Sequence, residues 1–500
     1  MVLSLDGQGP RYAQLTRAVV GQIRRGVLSP GSRAPSSREL ASELGCSRNL
    51  VLLAYEQLVT EGYFVTRQRT GTFIAAGPWE ASTPQRAGHL DSSAAKAPPE
   101  LSEPGRRLVR AAAGVMGPIR HRPVCPIDFI YGLCEPDDRL LRSFRRCLSR
   151  PLRERAFSYG PPAGDAGLRQ QIAMRLRSAR GISRPAEQVV LTSGTQQALD
   201  ICARLLLGPG VDAVVEDPGY EVARASFLST GSGVLAAPVD GEGLDPASLP
   251  GGGRPIRLVY VTPSHQVPTG AVMPAARRQA LVAWARRARA YVFEDDYDGE
   301  FRYVGQPIPA LAGLDPETVI YCGTFAKSLF PSCRLGYLVV PPALVGAAVQ
   351  CKWLADRGSS RLVERAIGEL LAAGHYDRHV RRMQRRYRER RDVLVRSLRA
   401  HLGAEVEIQG SSAGLHLVAW LPALAEEAAL EVVALCRERG VGVYPMARHA
   451  VRPPGRAALL LGYGLVDAGA VERGVRELAD AYRRVRRSRT RRNGHLTHVR

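Results

Sequence analysis

Between Ile127 and Asp480, short apolar runs such as VVLTSG, RLVYVTP, AYVFEDDY and TVIYCGTF alternate with helical patterns such as ARRQALVAWARRAR. Runs this short and this apolar read as strands buried on both faces. The helices between them supply the crossovers of a mostly parallel sheet, so the region is expected to be layered α/β. Each run ends in polar residues, and in such sheets ligands gather at the carboxyl ends of the strands. The chain has 500 residues, too many for one ordinary core, and its 45% apolar content is enough for two or three domains.

The N-terminal residues follow a different pattern. Tyr12, Leu15, Val19 and Ile23 share one face of a helix. A second helix is expected to start at the Ser36/Ser37 cap, with Glu39 completing a capping box, and to stop at Gly45. A third begins at Ser47 and buries Val51, Ala54, Tyr55 and Leu58, which leaves Arg48 and Asn49 facing outward. Two helices joined by a short Gly-containing turn form a helix-turn-helix pattern, whose second helix presents its N-terminal side chains to base edges. YFVTRQRTGTFIA then alternates apolar and polar positions around a turn, as a β-hairpin wing does, with Arg69 at the tip. Domain boundaries follow from these patterns: a head over 8–75, a Pro/Ala/Ser/Gly-rich flexible linker over 76–125, a body over 126–482, and a basic disordered tail over 483–500.

The formal charge of +22 points to a polyanionic partner. Eight arginines and no acidic residue lie within Arg483–Arg500, and eight more lie in HYDRHVRRMQRRYRERRD. The second group reads as a solvated basic helix face. Nine cysteines without a CxxC pair or a His/Cys cluster of metal spacing argue for reduced thiols and against a metal site. No stretch approaches eighteen uninterrupted apolar residues, and the opening residues lack a signal-peptide pattern, so a cytoplasmic location is expected, with no membrane partner.

Only three lysines occur, Lys96, Lys327 and Lys352, against 66 arginines. Lys327 stands in GTFAKSLFPSCRLGYLV. Arginine does not lose its proton, so only lysine serves as an amine nucleophile toward an aldehyde. Arg334, seven residues on, suits a phosphate, and together the two suggest a phosphorylated aldehyde. Such a cofactor also needs a carboxylate for its ring nitrogen and NH groups for its phosphate. Asp295 and Tyr297 follow a buried strand at i and i+2, on one side if the chain stays extended. Gly194 and Thr195 open a helix after VVLTSG, a natural phosphate site. Tyr220 offers an aromatic lid.

The stretch from Gly9 to Ile74 resembles the GntR-type winged helix-turn-helix. FSYGPPAG, VVLTSGTQQALD, EDPGY, VYVTPSHQVPTG, EDDYDGEFRY, GTFAKSLFPSCRLGYLV and AGLHLVAWLP resemble a fold-type I aminotransferase domain, and the combination resembles the MocR/PdxR subfamily of GntR regulators. The resemblance implies contacts to a double-stranded DNA operator from Arg38, Ser47, Arg48, Asn49, Arg69 and Gly71. It implies pyridoxal 5'-phosphate as cofactor, with Lys327 as the imine-forming lysine, Asp295 at the pyridine nitrogen and Tyr297 at the phenolic oxygen. Gly194, Thr195, Thr324 and Arg334 would hold the phosphate, and Tyr220 would stack. Tyr159 would reach the neighbouring subunit's phosphate in a homodimer, and Arg456 would take the carboxylate of an amine or amino-acid effector. Four positions depart from the family patterns: Ala34 replaces Leu, Leu50 stands where a small polar residue is common, Val267 replaces the asparagine of the aminotransferase NPTG motif, and Ala326 replaces the serine beside the lysine. The implied function is a regulator responsive to the cofactor, in which ligand shifts the DNA-binding heads. The alternative is a working aminotransferase with an auxiliary head.

Overall fold

The computed structural model describes residues 3–77, 100–115, 125–154, 158–250, 253–306 and 308–496, without the side chains of 491–496; Lys96 and much of the expected linker lie outside them. The chain divides into two units, residues 1–100 and 101–500.

In the first unit, helices α1 (Arg11–Arg24), α2 (Ser37–Glu43) and α3 (Arg48–Thr60) precede a hairpin of β1 (Phe64–Arg67) and β2 (Gly71–Ile74). Both expected caps are present. The Ser36 hydroxyl accepts from the Glu39 amide while the Glu39 carboxylate accepts from the Ser36 amide, and Ser47 caps α3 through the Leu50 amide. Gly45, at φ +59, makes the turn between the two helices. Leu15, Val19, Ile23, Leu40, Val51, Ala54, Tyr55, Leu58, Phe64 and Ile74 form one core. Tyr12 is the exception to the expected face: it sits in the first turn of α1, at the end of the stripe, and is 36% exposed.

The second unit opens with α4 (Glu103–Ala113), where sequence reasoning expected flexible linker. Ser102 caps it and Glu103 pairs with Arg106, Arg107 and Arg110, so local charge pairing supports a segment that buries none of its residues. Next come β3 (Ile127–Asp128), α5 (Asp138–Arg153) and α6 (Ala166–Arg180). An eight-stranded sheet then uses β4 (Val189–Thr192), β5 (Asp212–Asp217), β6 (Gly233–Asp240), β7 (Gly243–Leu244), β8 (Ile256–Val261), β9 (Tyr291–Asp296), β10 (Val319–Thr324) and β11 (Gly336–Val339). Its order is β4-β11-β10-β9-β8-β5-β6-β7; only β11 and β7 run antiparallel to their neighbours, which bears out the mostly parallel expectation. Helices α7 (Thr195–Leu206), α8 (Glu221–Ser229), α9 (Ala275–Ala288), α10 (Leu311–Leu314) and α11 (Val345–Asp356) are interleaved with or follow these strands. They cover both faces, giving two separate apolar layers.

After α12 (Arg361–Ala372) and the long α13 (His375–Leu402), a smaller sheet of β12 (Glu407–Gln409), β13 (His416–Leu421), β15 (Tyr444–Pro445) and β16 (Ala457–Gly462) forms a second lobe with its own core. In this lobe α14 (Ala428–Glu438) packs on α15 (Ala468–Leu496), and β14 (Val441–Gly442) pairs with β3.

The tail differs from the disorder expected of it, since α15 continues to Leu496. Val471, Val475, Leu478, Tyr482 and Val485 bury one face of that helix, and arginine is a good helix former beyond them. Acceptors on neighbouring elements receive the basic side chains: Arg483 donates to the His401 carbonyl, Arg486 pairs with Glu405, and Arg489 lies 2.7 Å from Glu431. The arginine-rich α13 likewise spends part of its charge inside the unit, through Arg382 to Asp137 and Arg390 to the Gly464 carbonyl.

Candidate cofactor site and DNA-binding head

In the first unit the six expected DNA-contact positions gather at the start of α3, on α2 and at the hairpin tip. Arg38, Ser47, Arg48, Asn49 and Arg69 are all exposed. Ser47 also caps its helix, and Arg48 Nε lies 3.3 Å from Ser37 Oγ, which orients the guanidinium across the helix-turn-helix. Arg69 holds a left-handed φ of +61 in the turn between the strands. Gly71, at φ +117, lies so close to Arg33 that a Cβ there would sit 3.0 Å from the Arg33 Nε. This glycine lets the wing pack against the chain leading into α2, and Arg33 pairs with Phe73 across that contact.

In the second unit the carboxyl ends of β4, β5, β8, β9 and β10 converge. Strand alternation sorts the acidic run EDDYD. Glu294 and Asp296 face the α6 and α9 layer, where Glu294 accepts from the Leu311 and Ala312 amides and Asp296 binds Arg180 and the Tyr321 hydroxyl. Asp295 faces the other way. Its Oδ2 accepts from the Tyr260 hydroxyl at 2.9 Å, and its Oδ1 is buried without a partner. Burial raises its pKa to about 7, and Lys327 acts on it in the opposite sense. Tyr260 stacks on Phe293 and stands beside Tyr220, with ring centroids 6.4 Å apart, so Tyr220 lies over the edge of the same aromatic layer.

Lys327 sits in the turn after β10. Its amine donates to the Gly132 carbonyl, and desolvation pulls its pKa below the ordinary lysine value. Neighbours fix the turn: Thr324 Oγ accepts from the Ala326 amide, Cys134 lies 3.3 Å from the Ala326 carbonyl, and Tyr376 donates to Ser328 at 2.8 Å. At the end of β4, Gly194 (φ +89) opens α7 with no side-chain cap, and Thr195 is the first helical residue. The Arg334 guanidinium donates to the Ser193 carbonyl at 2.9 Å and lies 3.8 Å from where a Gly194 Cβ would be. A helix N-terminus with free amides beside a guanidinium is a phosphate cradle. An unpartnered buried carboxylate oxygen, a desolvated lysine and this cradle fit a phosphorylated pyridine aldehyde.

Two expected site residues are not brought to this cluster. Arg456 lies before β16, at the end of the strand away from Gly462, where it pairs with Glu407 at 2.7 Å and lies over the Trp420 ring. Gly462 packs against Ile130 and Tyr131, beside Gly132, so Arg456 lies about 20 Å along the strand from the lysine end. Tyr159 is 83% exposed and meets only Arg357 among the described residues that stack with it.

The structure adds residues that the sequence did not single out. Tyr297 donates to the main-chain carbonyl of His265 at 2.9 Å, and His265 Nδ1 lies 3.0 Å from the Tyr297 hydroxyl and 2.9 Å from Asp298. His449 meets the Tyr131 hydroxyl at 3.0 Å and Glu221 at 2.7 Å. Glu216, buried with pKa raised to about 7, accepts from Thr262 and Gln266. His265 stood in the quoted stretch VYVTPSHQVPTG, but its partners are 32 or more residues away, and no local spacing reports them. His265, Asp298 and His416 also bring three possible metal-ligating atoms within 4.8 Å of one another. Each imidazole Nε2 already faces a backbone carbonyl, of Gly410 or Pro268, which favours a hydrogen-bond network.

Comparison with known proteins agrees with both units. The GntR family of bacterial regulatory proteins matches residues 11–74, and aminotransferase class I and II matches residues 142–459. A DNA-binding helix-turn-helix joined to an aminotransferase-type body defines a class of transcription regulator. The chain is 35% identical over 487 residues to the probable rhizopine catabolism regulatory protein MocR of Rhizobium meliloti, covering 96% of each. It is 31% identical over 469 residues to the pyridoxine biosynthesis regulator PdxR of Corynebacterium glutamicum, covering 94% of this chain and 95% of that one. Among solved structures, the α-aminoadipate aminotransferase LysN of Thermus thermophilus, complexed with N-(5'-phosphopyridoxyl)-L-leucine, superposes with a TM-score of 0.66 at 27% identity, covering 77% of this chain and 97% of that one. The chain belongs to the MocR/PdxR-type GntR regulators. Among the described residues, no helix is long and apolar enough to cross a membrane.

Proposed function

We propose that the body binds pyridoxal 5'-phosphate at Lys327 and that occupancy of this site changes the affinity of the head for its operator. The observation that carries the reading is Asp295: a carboxylate buried with one oxygen unpartnered, electrostatically coupled to a desolvated lysine. Such a group is costly unless a cationic donor completes it, and a pyridinium N–H is one. When bound, the cofactor supplies an aldehyde and an electron-withdrawing ring. The chain's own groups do the rest. Lys327 offers an amine with a depressed pKa, Asp295 holds a proton at the ring nitrogen, Tyr297 donates to the phenolic oxygen, and Gly194, Thr195, Thr324 and Arg334 grip the phosphate. Tyr220 stacks on the ring.

Exposed Tyr159, with Trp353 and Leu354 nearby in exposure at 44% and 76%, suits a homodimer in which Tyr159 serves the second subunit's site. Regulation requires a ligand that favours one state of the protein by free energy, and exchange of Lys327 for an amine effector supplies such a difference. Val267, standing where aminotransferases place the asparagine of their NPTG motif, favours this reading over turnover of amino acids. In the head, Arg48 and Asn49 read base edges while Arg38, Ser47, Arg69 and the Gly71 backbone meet phosphates.

The test is operator binding by the full chain with and without pyridoxal phosphate, beside keto-acid formation from a panel of amines. A cofactor-dependent change in affinity, absent in Lys327→Ala together with the visible absorbance band, supports the proposal. Enzyme-like turnover with no effect on DNA binding overturns it.

A further inference from the structure

The His265 imidazole is enclosed to a degree that packing alone does not require. A Cβ on Gly414 (φ +78) would lie 2.1 Å from its Cε1, and one on Gly270 (φ +70) would lie 2.9 Å from its Nε2, so two glycines in left-handed conformation wall the ring. The His416 ring lies 4.9 Å away, centroid to centroid. Nε2 faces the Gly410 carbonyl at 3.3 Å and therefore carries a hydrogen. Nδ1 faces the Asp298 carboxylate at 2.9 Å and the Tyr297 hydroxyl at 3.0 Å. Tyr297 spends its own hydrogen on the His265 carbonyl at 2.9 Å, so its oxygen is free to accept. With acceptors on both sides, the ring is satisfied only as the doubly protonated imidazolium.

The surrounding charges agree with this assignment. Burial opposes the cation and the neighbouring Arg302 opposes it further. The Asp298 charge, its hydrogen bond and the Gly410 carbonyl outweigh them, and the His265 pKa is raised. The adjacent His416 is pushed down to about 3 and stays neutral, so it adds no competing charge.

We propose that His265 is a positioning residue for the cofactor site: its one Nδ1 hydrogen is shared between the Asp298 carboxylate and the Tyr297 oxygen, and this polarises the phenol, whose own hydrogen turns from the His265 carbonyl to the cofactor's phenolic oxygen on binding and is donated more strongly for it. The inference rests on the cofactor reading above. It also ties the site to the second lobe, because Gly410 and Gly414 belong to the segment that leads into β13, whereas Tyr297 and Asp298 follow β9. Seating of the 410–416 segment therefore sets the donor strength of the phenol, which offers the body a route by which site chemistry and lobe position inform each other.

The test reads the pH midpoint of the visible absorbance of pyridoxal phosphate bound to the full chain. A weaker Tyr297 donor leaves the phenolic oxygen more basic, so the chromophore keeps its proton to higher pH. His265→Gln is expected to raise the midpoint by about one unit, and Asp298→Asn to raise it in the same direction. Tyr297→Phe raises it too, and the double variant His265→Gln/Tyr297→Phe goes no further than Tyr297→Phe alone, which a merely structural role for His265 would not produce. Gly414→Ala, which displaces the ring without removing it, gives a smaller rise. If His265→Gln does not fold, Asp298→Asn alone and paired with Tyr297→Phe carries the same comparison. A midpoint unchanged in Asp298→Asn and His265→Gln, shifts that add to that of Tyr297→Phe, or stoichiometric zinc in the purified chain overturns the proposal. Absence of any visible band in the wild type instead sinks the cofactor reading, so the two failures are distinct.

Discussion

Replacing Asp295 by asparagine is expected to move stability and cofactor binding in opposite directions. In the cofactor-free chain the carboxyl is buried and its pKa rises from 3.8 to about 7. The folded value lies above the unfolded one, so the native state holds the extra proton between them. The penalty is absent below about pH 4, grows as pH rises, and is complete above about pH 7. Three units at about 1.36 kcal/mol each set a ceiling of about 4 kcal/mol. The substitution leaves the Tyr260 hydroxyl an acceptor but brings an amide whose own hydrogens lack partners, a cost of about 1 to 3 kcal/mol. The net gain for Asp295→Asn at pH 8 is then about 1 to 3 kcal/mol, reversing at pH 4 to a loss of about 1 to 3 kcal/mol, the amide cost alone. Urea unfolding of the body, followed at pH 4 and pH 8 without cofactor, measures it. Pyridoxal phosphate affinity of the same variant is expected to drop at least tenfold, because a neutral amide no longer holds the ring-nitrogen proton. A variant that is less stable at pH 8, with an unfolding free energy that varies with pH as the wild type does, would refute the assignment of a strained carboxylate.

Other substitutions test separate steps. Arg48→Ala is expected to cost about 1 to 3 kcal/mol of operator affinity and to relax sequence preference, and titration against native and shuffled operators checks both. Ser36→Ala removes one half of the capping box and is expected to destabilise the head by about 1 kcal/mol, read as an earlier thermal transition of the first unit. Gly164→Ala would put a Cβ 2.4 Å from the Leu191 side chain at a residue with φ +97, and is expected to lower body stability by about 2 to 3 kcal/mol in denaturant unfolding.

Local spacing carried the head and the strand ends but not the tertiary network. Ser36/Glu39 and Ser47 were legible because a helix cap is written within three residues of itself. Asp295 and Tyr297 were legible because strand period places i and i+2 together, and the structure keeps Asp296 on the opposite face. Lys327 stood out by chemical rarity. His265 was not legible, because what defines it is a carboxylate 33 residues on, a carbonyl 145 residues on, and two glycines whose backbone angles cannot be read from their letters. Arg456 failed to join the cluster for the converse reason: motif position assigned it a role, while Glu407 and Trp420, its actual neighbours, come from elements distant in sequence.

The same contrast explains the tail. Charge composition argued for disorder over 483–500, yet composition counts repulsion without counting partners. Glu405 and Glu431 belong to the second lobe, and the apolar stripe from Val471 to Val485 had already fixed the helix that delivers Arg486 and Arg489 to them. Once a buried face has met the cost of nucleation, each further arginine adds one helical hydrogen bond and needs only an acceptor nearby. Basic charge that is paired within the body in this way is not available to DNA. Each such pair cancels in the sum, so the net +22 stands as it is; what pairing fixes is where these arginines sit, on acidic partners within the body, while Arg38 and Arg69 of the head stay exposed for the phosphate contacts proposed above.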